Sequence, residues 1–195
     1  MPRTDRYREA VTRIIAGLAG SLTLEVPAAG TRPTSDRVRE SLFGALESAD
    51  AVADAAVLDL YAGSGALGLE AVSRGARSAD LVEKAPAAAA AARRNAARVE
   101  RAMPGAVVAV HRAAVDAFLR AGRGPYDLVF LDPPYDLGDD ALGQTLELLV
   151  PALAPDAIVV VERAARSPQP RLPAGLMADR HKRYGDTTLW WSRPS

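Results

Sequence analysis

Asp59-Leu60-Tyr61-Ala62-Gly63-Ser64-Gly65-Ala66-Leu67-Gly68 is the stretch on which the fold turns. It closes an apolar run over residues 56–61 and opens a helical run over 66–74, with glycines where the chain changes direction. Glycine accepts the positive φ of such a turn and lets a ligand approach the backbone, and the helix start offers unpaired N–H groups. Downstream, strands are expected at residues 79–83, 106–111, 126–131 and 157–161. Helical stretches separate them at 86–101, 115–121 and 141–153. The strands lack polar alternation, so they belong to a parallel sheet covered on both faces. This pattern predicts a doubly wound, Rossmann-like α/β fold whose chemistry lies at the strand C-terminal ends.

Upstream, residues 11–16 and 21–26 suit two short strands around a turn containing Gly17 and Gly20. A helix is expected over 35–48, with Val38, Leu42, Ala45 and Leu46 on one face and Thr34 or Ser35 as its cap. The Ala-rich stretch 85–97 reads as a helix with Pro86 in its first turn. Residues 180–184 and 187–191 suit an antiparallel pair turning at Gly185-Asp186. The chain thus divides into an arm and hairpin, residues 1–30, and a main domain, residues 31–195.

The 195 residues are 49% hydrophobic, which suits one domain with a full core. No apolar run approaches the ~18 residues of a membrane span, and residues 1–13 lack a secretory signal's apolar core. Cysteine is absent, which excludes a disulfide framework and a thiolate zinc site. A cytoplasmic, metal-free, monomeric protein is expected. Formal net charge is zero, so the whole-molecule field announces no nucleic-acid partner. Local clusters are more suggestive: Arg3, Arg6, Arg8 and Arg13; Arg32, Arg37 and Arg39; Arg180, Lys182 and Arg183.

Gly63, Gly65 and Gly68 also satisfy the dinucleotide pattern G-x-G-x-x-G, so an NAD-binding oxidoreductase is one reading. Asp59 argues against it. A carboxylate just before the loop would repel a pyrophosphate but attract the ammonium and sulfonium of S-adenosylmethionine, by ~1–4 kcal/mol at ~4 Å. Glu83 ends the second strand at the distance expected of a ribose-binding acid.

The fourth strand ends in Asp132-Pro133-Pro134-Tyr135. Two prolines remove two N–H donors and stiffen the backbone, leaving carbonyls as pure acceptors. An exocyclic amine on a nucleobase has two N–H donors and a delocalised lone pair. Asp132 and the Pro133 carbonyl can accept one N–H each, drawing the nitrogen toward tetrahedral geometry for in-line methyl transfer. Tyr135 offers a face for a flipped base, worth ~1–3 kcal/mol. No histidine base is required, and His111 and His181 read as strand-end or surface residues.

The segments Thr31-Arg32-Pro33-Thr34-Ser35-Asp36-Arg37-Val38-Arg39-Glu40, residues 59–76 and residues 132–135, in this order, resemble the RsmD family. These are bacterial 16S rRNA guanine-N2 methyltransferases acting on the assembling small subunit. The resemblance runs from about Arg13 through Glu162-Arg163 to Tyr184-Gly185-Asp186-Thr187. It implies S-adenosylmethionine as methyl donor, S-adenosylhomocysteine as product, and a seven-stranded sheet ending in an antiparallel hairpin. It assigns Asp59, Gly63, Gly65 and Glu83 to the cofactor, and residues 132–135 to the guanine amine; Tyr61, Ser64, Gly68 and Lys84 are further candidates for the cofactor site. Asp116 either reads the adenine amino group or caps the following helix. The hairpin and the 31–40 segment would approach RNA, through Arg13, Arg32, Thr34, Arg37 and Arg39. Two departures stand out. The turn Leu18-Ala19-Gly20-Ser21 carries no charge where the family commonly has a basic one, which weakens RNA anchoring there. Ala85 stands where an acid often follows the ribose-binding residue. A DNA adenine or cytosine amino-methyltransferase shares the DPPY element, but would need a target-recognition insertion of ~50 residues.

Overall fold

The computed structural model describes residues 12–27 and 35–195. A hairpin of β1 (Thr12–Arg13) and β2 (Thr23–Leu24) precedes α1 (Asp36–Glu47). Then come β3 (Ala56–Leu60), α2 (Ala66–Ser73), β4 (Ser78–Val82), α3 (Pro86–Ala102), β5 (Val108–His111) and α4 (Val115–Arg120). β6 (Tyr126–Leu131), α5 (Asp139–Leu149), β7 (Leu153–Ala164), β8 (Leu176–Tyr184) and β9 (Thr187–Pro194) complete the chain. Seven strands form one sheet in the order β5-β4-β3-β6-β7-β9-β8. β9 runs antiparallel to both β7 and β8, and the rest are parallel. The expected doubly wound α/β fold with a reversed C-terminal hairpin is what the chain adopts.

Each sheet face carries its own core. Val57, Leu69, Leu81, Phe130 and Val160 pack with α1, α2 and α3 on one side. Leu58, Leu60, Val129, Leu131 and Leu146 pack with α4 and α5 on the other. The β3 run AVLDL is buried at every position because it has neighbours on both edges and both faces.

Several boundaries differ from the sequence expectation for identifiable reasons. Ser35 caps α1, its Oγ accepting from the Val38 N–H at 3.4 Å; Thr34, the alternative cap, lies outside the described residues. The last helix stops at Leu149 rather than residue 153, because Pro151 cannot continue an α-helix and the chain tightens into a 3-10 turn, Val150–Ala152. β7 begins at Leu153 and β8 at Leu176, each four residues before its expected start. Those residues are strand by pairing, not by pattern.

The N-terminal hairpin belongs to the main core: Ile14 and Leu24 are 0% and 1% exposed and pack on the α1–α3 side. Its turn is pinned to the end of α2. The Ala19 N–H donates to Ser73 Oγ at 3.0 Å and the Leu18 N–H to the Ser73 carbonyl at 2.8 Å. Gly17, at φ +83°, lies so close that a Cβ would meet the Ser73 carbonyl oxygen at 1.9 Å.

Candidate active site

Register brings the ends of β3, β4 and β6 level with Val161 of β7. Leu60 pairs with both Val82 and Leu131, and Leu131 pairs with Val161. The residues that follow therefore emerge side by side. They enclose a cavity of about 430 Å³, lined by Tyr61, Gly63, Glu83 and Lys84 on one side and Asp132, Pro133, Pro134, Tyr135 and Asp136 on the other. Val82, Val115 and Glu162 complete it. The glycine turn and the DPPY segment share one cleft.

Within the turn, tasks are divided. Tyr61 and Gly63 have φ +62° and +56° and reach the cavity. Among the described residues, its chain neighbours aside, no atom lies within 4 Å of where a Gly63 Cβ would stand, so a ligand can lie against this backbone. Gly65 and Gly68 serve packing instead: a Cβ would meet Leu81 side-chain carbons at 2.8 Å and 2.3 Å respectively. The Ser64 carbonyl accepts from Asn95 Nδ2 at 2.9 Å, and the same amide group bonds Glu25 after β2. Buried Asn95 thus fixes the turn from α3.

Asp59 requires a correction. Its carboxylate does not line the cavity; it is 1% exposed and accepts the Gly68 N–H at 2.9 Å, anchoring the α2 start from beneath. Burial pushes its pKa up to about 7, with the nearby Glu83 charge adding to that and the Gly68 bond opposing it. A raised native value means the folded state holds this proton more tightly than the unfolded chain. The contribution is full below the ordinary value of 3.8 and is lost as pH rises through about 7. Asp59→Asn keeps an acceptor for Gly68 but cannot ionise. Its stability relative to wild type should therefore improve between pH 5 and pH 8 in urea unfolding; a constant difference would contradict the assignment.

Glu83 sits just past β4. Oε2 accepts the Gly63 N–H at 3.0 Å and Oε1 the Ala85 N–H at 2.7 Å, which fixes the carboxylate on the cavity wall. Asp116 does not cap α4, whose N-cap is Ala114 without a side-chain bond. Its neighbour Val115 lines the cavity, while Asp116 accepts from Thr145 Oγ1 at 3.4 Å. Thr145 in turn lies 3.3 Å from the Tyr61 hydroxyl, so Asp116 props Tyr61 through one intermediate. Burial raises the Tyr61 phenol above its ordinary pKa and keeps it protonated.

The DPPY segment is held from behind. Leu131 is 1% exposed and anchors the strand end. The Leu137 N–H donates to the Pro134 carbonyl at 2.9 Å, closing the turn. Arg163 on β7 donates to the Leu137 carbonyl at 3.0 Å and to Asp139 at 2.9 Å, tying the loop to the α5 start. Tyr135 is 69% exposed at the rim, an accessible aromatic face. Among the described residues, four carboxylates (Glu83, Asp132, Asp136, Glu162) and a single lysine line the cavity. That set suits a cationic ligand and opposes a pyrophosphate, so the electrostatic argument against a dinucleotide moves from Asp59 to the cavity wall. Among the described residues, no group of three or more acidic or imidazole side chains could hold a metal ion. His111 pairs with Asp80 at 2.6 Å and His181 stacks on Trp190. Neither lines this cavity.

The residues expected to meet RNA separate into three groups. Arg32 and Thr34 lie outside the described residues. Arg13 is exposed beside Asp36, at 3.6 Å. Arg39 is a correction: it is 1% exposed and its guanidinium donates to Thr12 Oγ1, the Arg13 carbonyl and Asp36. It ties α1 to β1 and cannot reach a phosphate. Arg37 lines a second, open groove of about 570 Å³ between the α1 start and β8, with Lys182, Arg183 and Tyr184 opposite. No acidic side chain is among its described lining residues. Ser41 joins its walls, 2.7 Å from the Tyr184 hydroxyl and accepting from Lys182 Nζ at 3.3 Å. No described helix is long and apolar enough to cross a membrane.

Glu162, Asp136 and Val115 were not singled out from sequence. Glu162 was findable: it follows the apolar run of the strand next to the DPPY strand.

Comparison with known proteins agrees with this architecture. The family described as conserved hypothetical protein 95 matches residues 12–193. Ribosomal RNA small subunit methyltransferase D of Escherichia coli K12 is 40% identical over 95% of this chain and 91% of its own. The Haemophilus influenzae protein of the same name is 34% identical over 80% of each chain. A solved Escherichia coli structure described as a candidate methyltransferase superposes with TM-score 0.80 at 37% identity, covering 94% of this chain and 98% of that one. The chain belongs to the conserved hypothetical protein 95 family, which is the family of ribosomal RNA small subunit methyltransferase D.

Proposed function

We propose that this protein is an S-adenosylmethionine-dependent methyltransferase acting on the exocyclic N2 of a guanine in 16S rRNA of the assembling small ribosomal subunit. The observation that carries the reading is the single acidic cleft shared by Gly63 and Glu83 on one side and residues 132–135 on the other. The names of the curated relatives supply the substrate class.

Bound in this cleft, adenosylmethionine supplies an electrophilic methyl group on a sulfonium. Glu83 is held by two backbone N–H groups, yet each oxygen keeps a second lone pair for a ribose hydroxyl. Gly63 gives the ligand room against the backbone, and among the described lining residues Lys84 is the cation available to its carboxylate. Opposite, the Asp132 carboxylate and the Pro133 carbonyl accept the two N–H groups of the guanine amine. The nitrogen lone pair then turns out of the ring and becomes nucleophilic. Once methylated, the nitrogen carries an extra proton, and the Asp132 carboxylate, already its hydrogen-bond acceptor, takes it. Tyr135 offers the flipped base a stacking face. Phosphate contacts position a nucleic acid without reading it. Arg13, Arg32, Thr34 and Arg37 would supply them, as would Lys182 and Arg183, which face Arg37 across the groove.

Calorimetry tests the cofactor: adenosylmethionine should bind and NAD should not, and the reverse result ends the methyltransferase reading. Small subunits lacking the modification, incubated with methyl-labelled cofactor, test the substrate. Label should appear in 16S rRNA as N2-methylguanosine. Label on duplex DNA but not on subunits would reject the rRNA assignment.

A further inference from the structure

We infer that Glu162 selects guanine, by accepting the N1–H of the base whose N2 amine is held by Asp132. The inference rests on the function proposed above and assigns a residue that neither the motif nor the turn contains. Leu131 and Val161 are parallel partners on β6 and β7. The next residues, Asp132 just past the end of β6 and Glu162 still within β7, therefore stand side by side on adjacent strands, about 4.8 Å apart along the sheet. Both carboxylates line the main cavity. Both also line the smaller recess behind it, with Pro133, Tyr135 and Thr187. Thr187 Oγ1, on β9, donates to Glu162 Oε1 at 3.4 Å, which steers the carboxylate from the far strand.

The chemistry of the base matches this pair. The Watson–Crick edge of guanine presents two neighbouring donors, N1–H and the N2 amine, to whatever reads a flipped base. Adenine presents an amine beside a bare N1, and cytosine an amine beside a bare N3. An ionised carboxylate accepts and cannot donate. Glu162 beside Asp132 thus forms an acceptor–acceptor wall that complements guanine and sets a lone pair against the other amino bases. The DPPY element alone holds any exocyclic amine. The second acceptor converts a general amine site into a guanine site. A site built to hydrogen-bond a substrate N–H can reject an analogue lacking it by as much as ~10⁴–10⁵-fold. Glu162 is only partly buried, which places the expected factor lower.

The test uses subunits reconstituted with 16S rRNA carrying either guanine or 2-aminopurine at the mapped acceptor position. 2-Aminopurine keeps the N2 amine but has no N1–H. Wild type should prefer guanine in kcat/KM by on the order of 10²-fold or more. Glu162→Gln, whose amide can donate to a bare N1, should shrink that preference at least ~10-fold. Because 2-aminopurine also lacks O6, the change in the ratio between the two proteins is the readout. A ratio within one protein preparation also cancels any loss of folded enzyme. Equal use of both bases by wild type, or an unchanged ratio in Glu162→Gln, overturns the inference. If wild type methylates no guanine at all, the proposed function falls and this inference with it.

Discussion

Asp132→Ala should lower kcat by on the order of 10²–10³-fold or more, with adenosylmethionine affinity changed only a few-fold. The asymmetry follows from what the side chain does. A nucleobase amine is poorly nucleophilic, and the site's contribution is to localise its lone pair as the reaction begins. The Asp132 carboxylate accepts one N–H and gains strength as positive charge develops on nitrogen. Its interaction is therefore worth more in the transition state than in the ground state, which is the condition for losing kcat rather than KM. Glu83 and the Gly63 backbone, on the opposite wall, keep their contacts, so cofactor binding survives. Asp132→Asn retains an oxygen acceptor without the charge and should fall between wild type and Asp132→Ala. Single-turnover labelling alongside calorimetry separates the two quantities. Near-normal turnover by Asp132→Ala would falsify the role given to this carboxylate.

The parts of this site legible in the sequence are those where the backbone itself restricts residue choice. A positive φ at Gly63 and two donor-free prolines leave marks that survive without a structure. Alternation of strands and helices then gives a doubly wound sheet, whose chemistry lies at the strand C-terminal ends; the strand order that puts both motifs in one cleft comes from the structure. The illegible parts depend on what a charge touches across the fold. Asp59 precedes the glycine turn in sequence, yet its side chain points into the packing beneath it. Arg39 has the spacing of a solvated helix charge, but β1 covers it. β8 reads Leu-Met-Ala-Asp-Arg-His-Lys-Arg-Tyr, with no apolar alternation, because it is an edge strand whose residues 177–183 are exposed. Lys182 and Arg183 gain their meaning only when that edge is set against α1.

Glu70 shows most clearly how a nonlocal partner rewrites a charge, and Glu70→Ala should destabilise the protein by about 3–5 kcal/mol. In the sequence Leu-Gly-Leu-Glu-Ala-Val it looks like the wet side of an amphipathic helix. In the fold it is 0% exposed, because the N-terminal hairpin lies over the outer face of α2. Its two oxygens accept the Ile15 N–H at 2.7 Å, the Ala16 N–H at 3.0 Å and Arg74 Nε at 2.7 Å. Arg39 Nη1 lies 3.9 Å away, and its side chain is 1% exposed. Removing the carboxylate strands two backbone donors and takes one acidic partner from each of two cations with buried side chains, Arg39 and Arg74, which keep Asp36 and Glu47; that is far costlier than losing an exposed ion pair. Against a usual total of about 5–15 kcal/mol, that is a large fraction. Glu70→Gln keeps the shape and one acceptor but not the charge, so it should lose less than Glu70→Ala. Adding Arg39→Met to Glu70→Ala should cost less than the two single losses summed, since the methionine removes a buried cation that has lost one of its two carboxylates. Urea unfolding of the wild type, the three single variants and the double variant measures this directly. A wild-type-like midpoint for Glu70→Ala, or strict additivity in the double variant, would show that the hairpin is held by its apolar contacts alone.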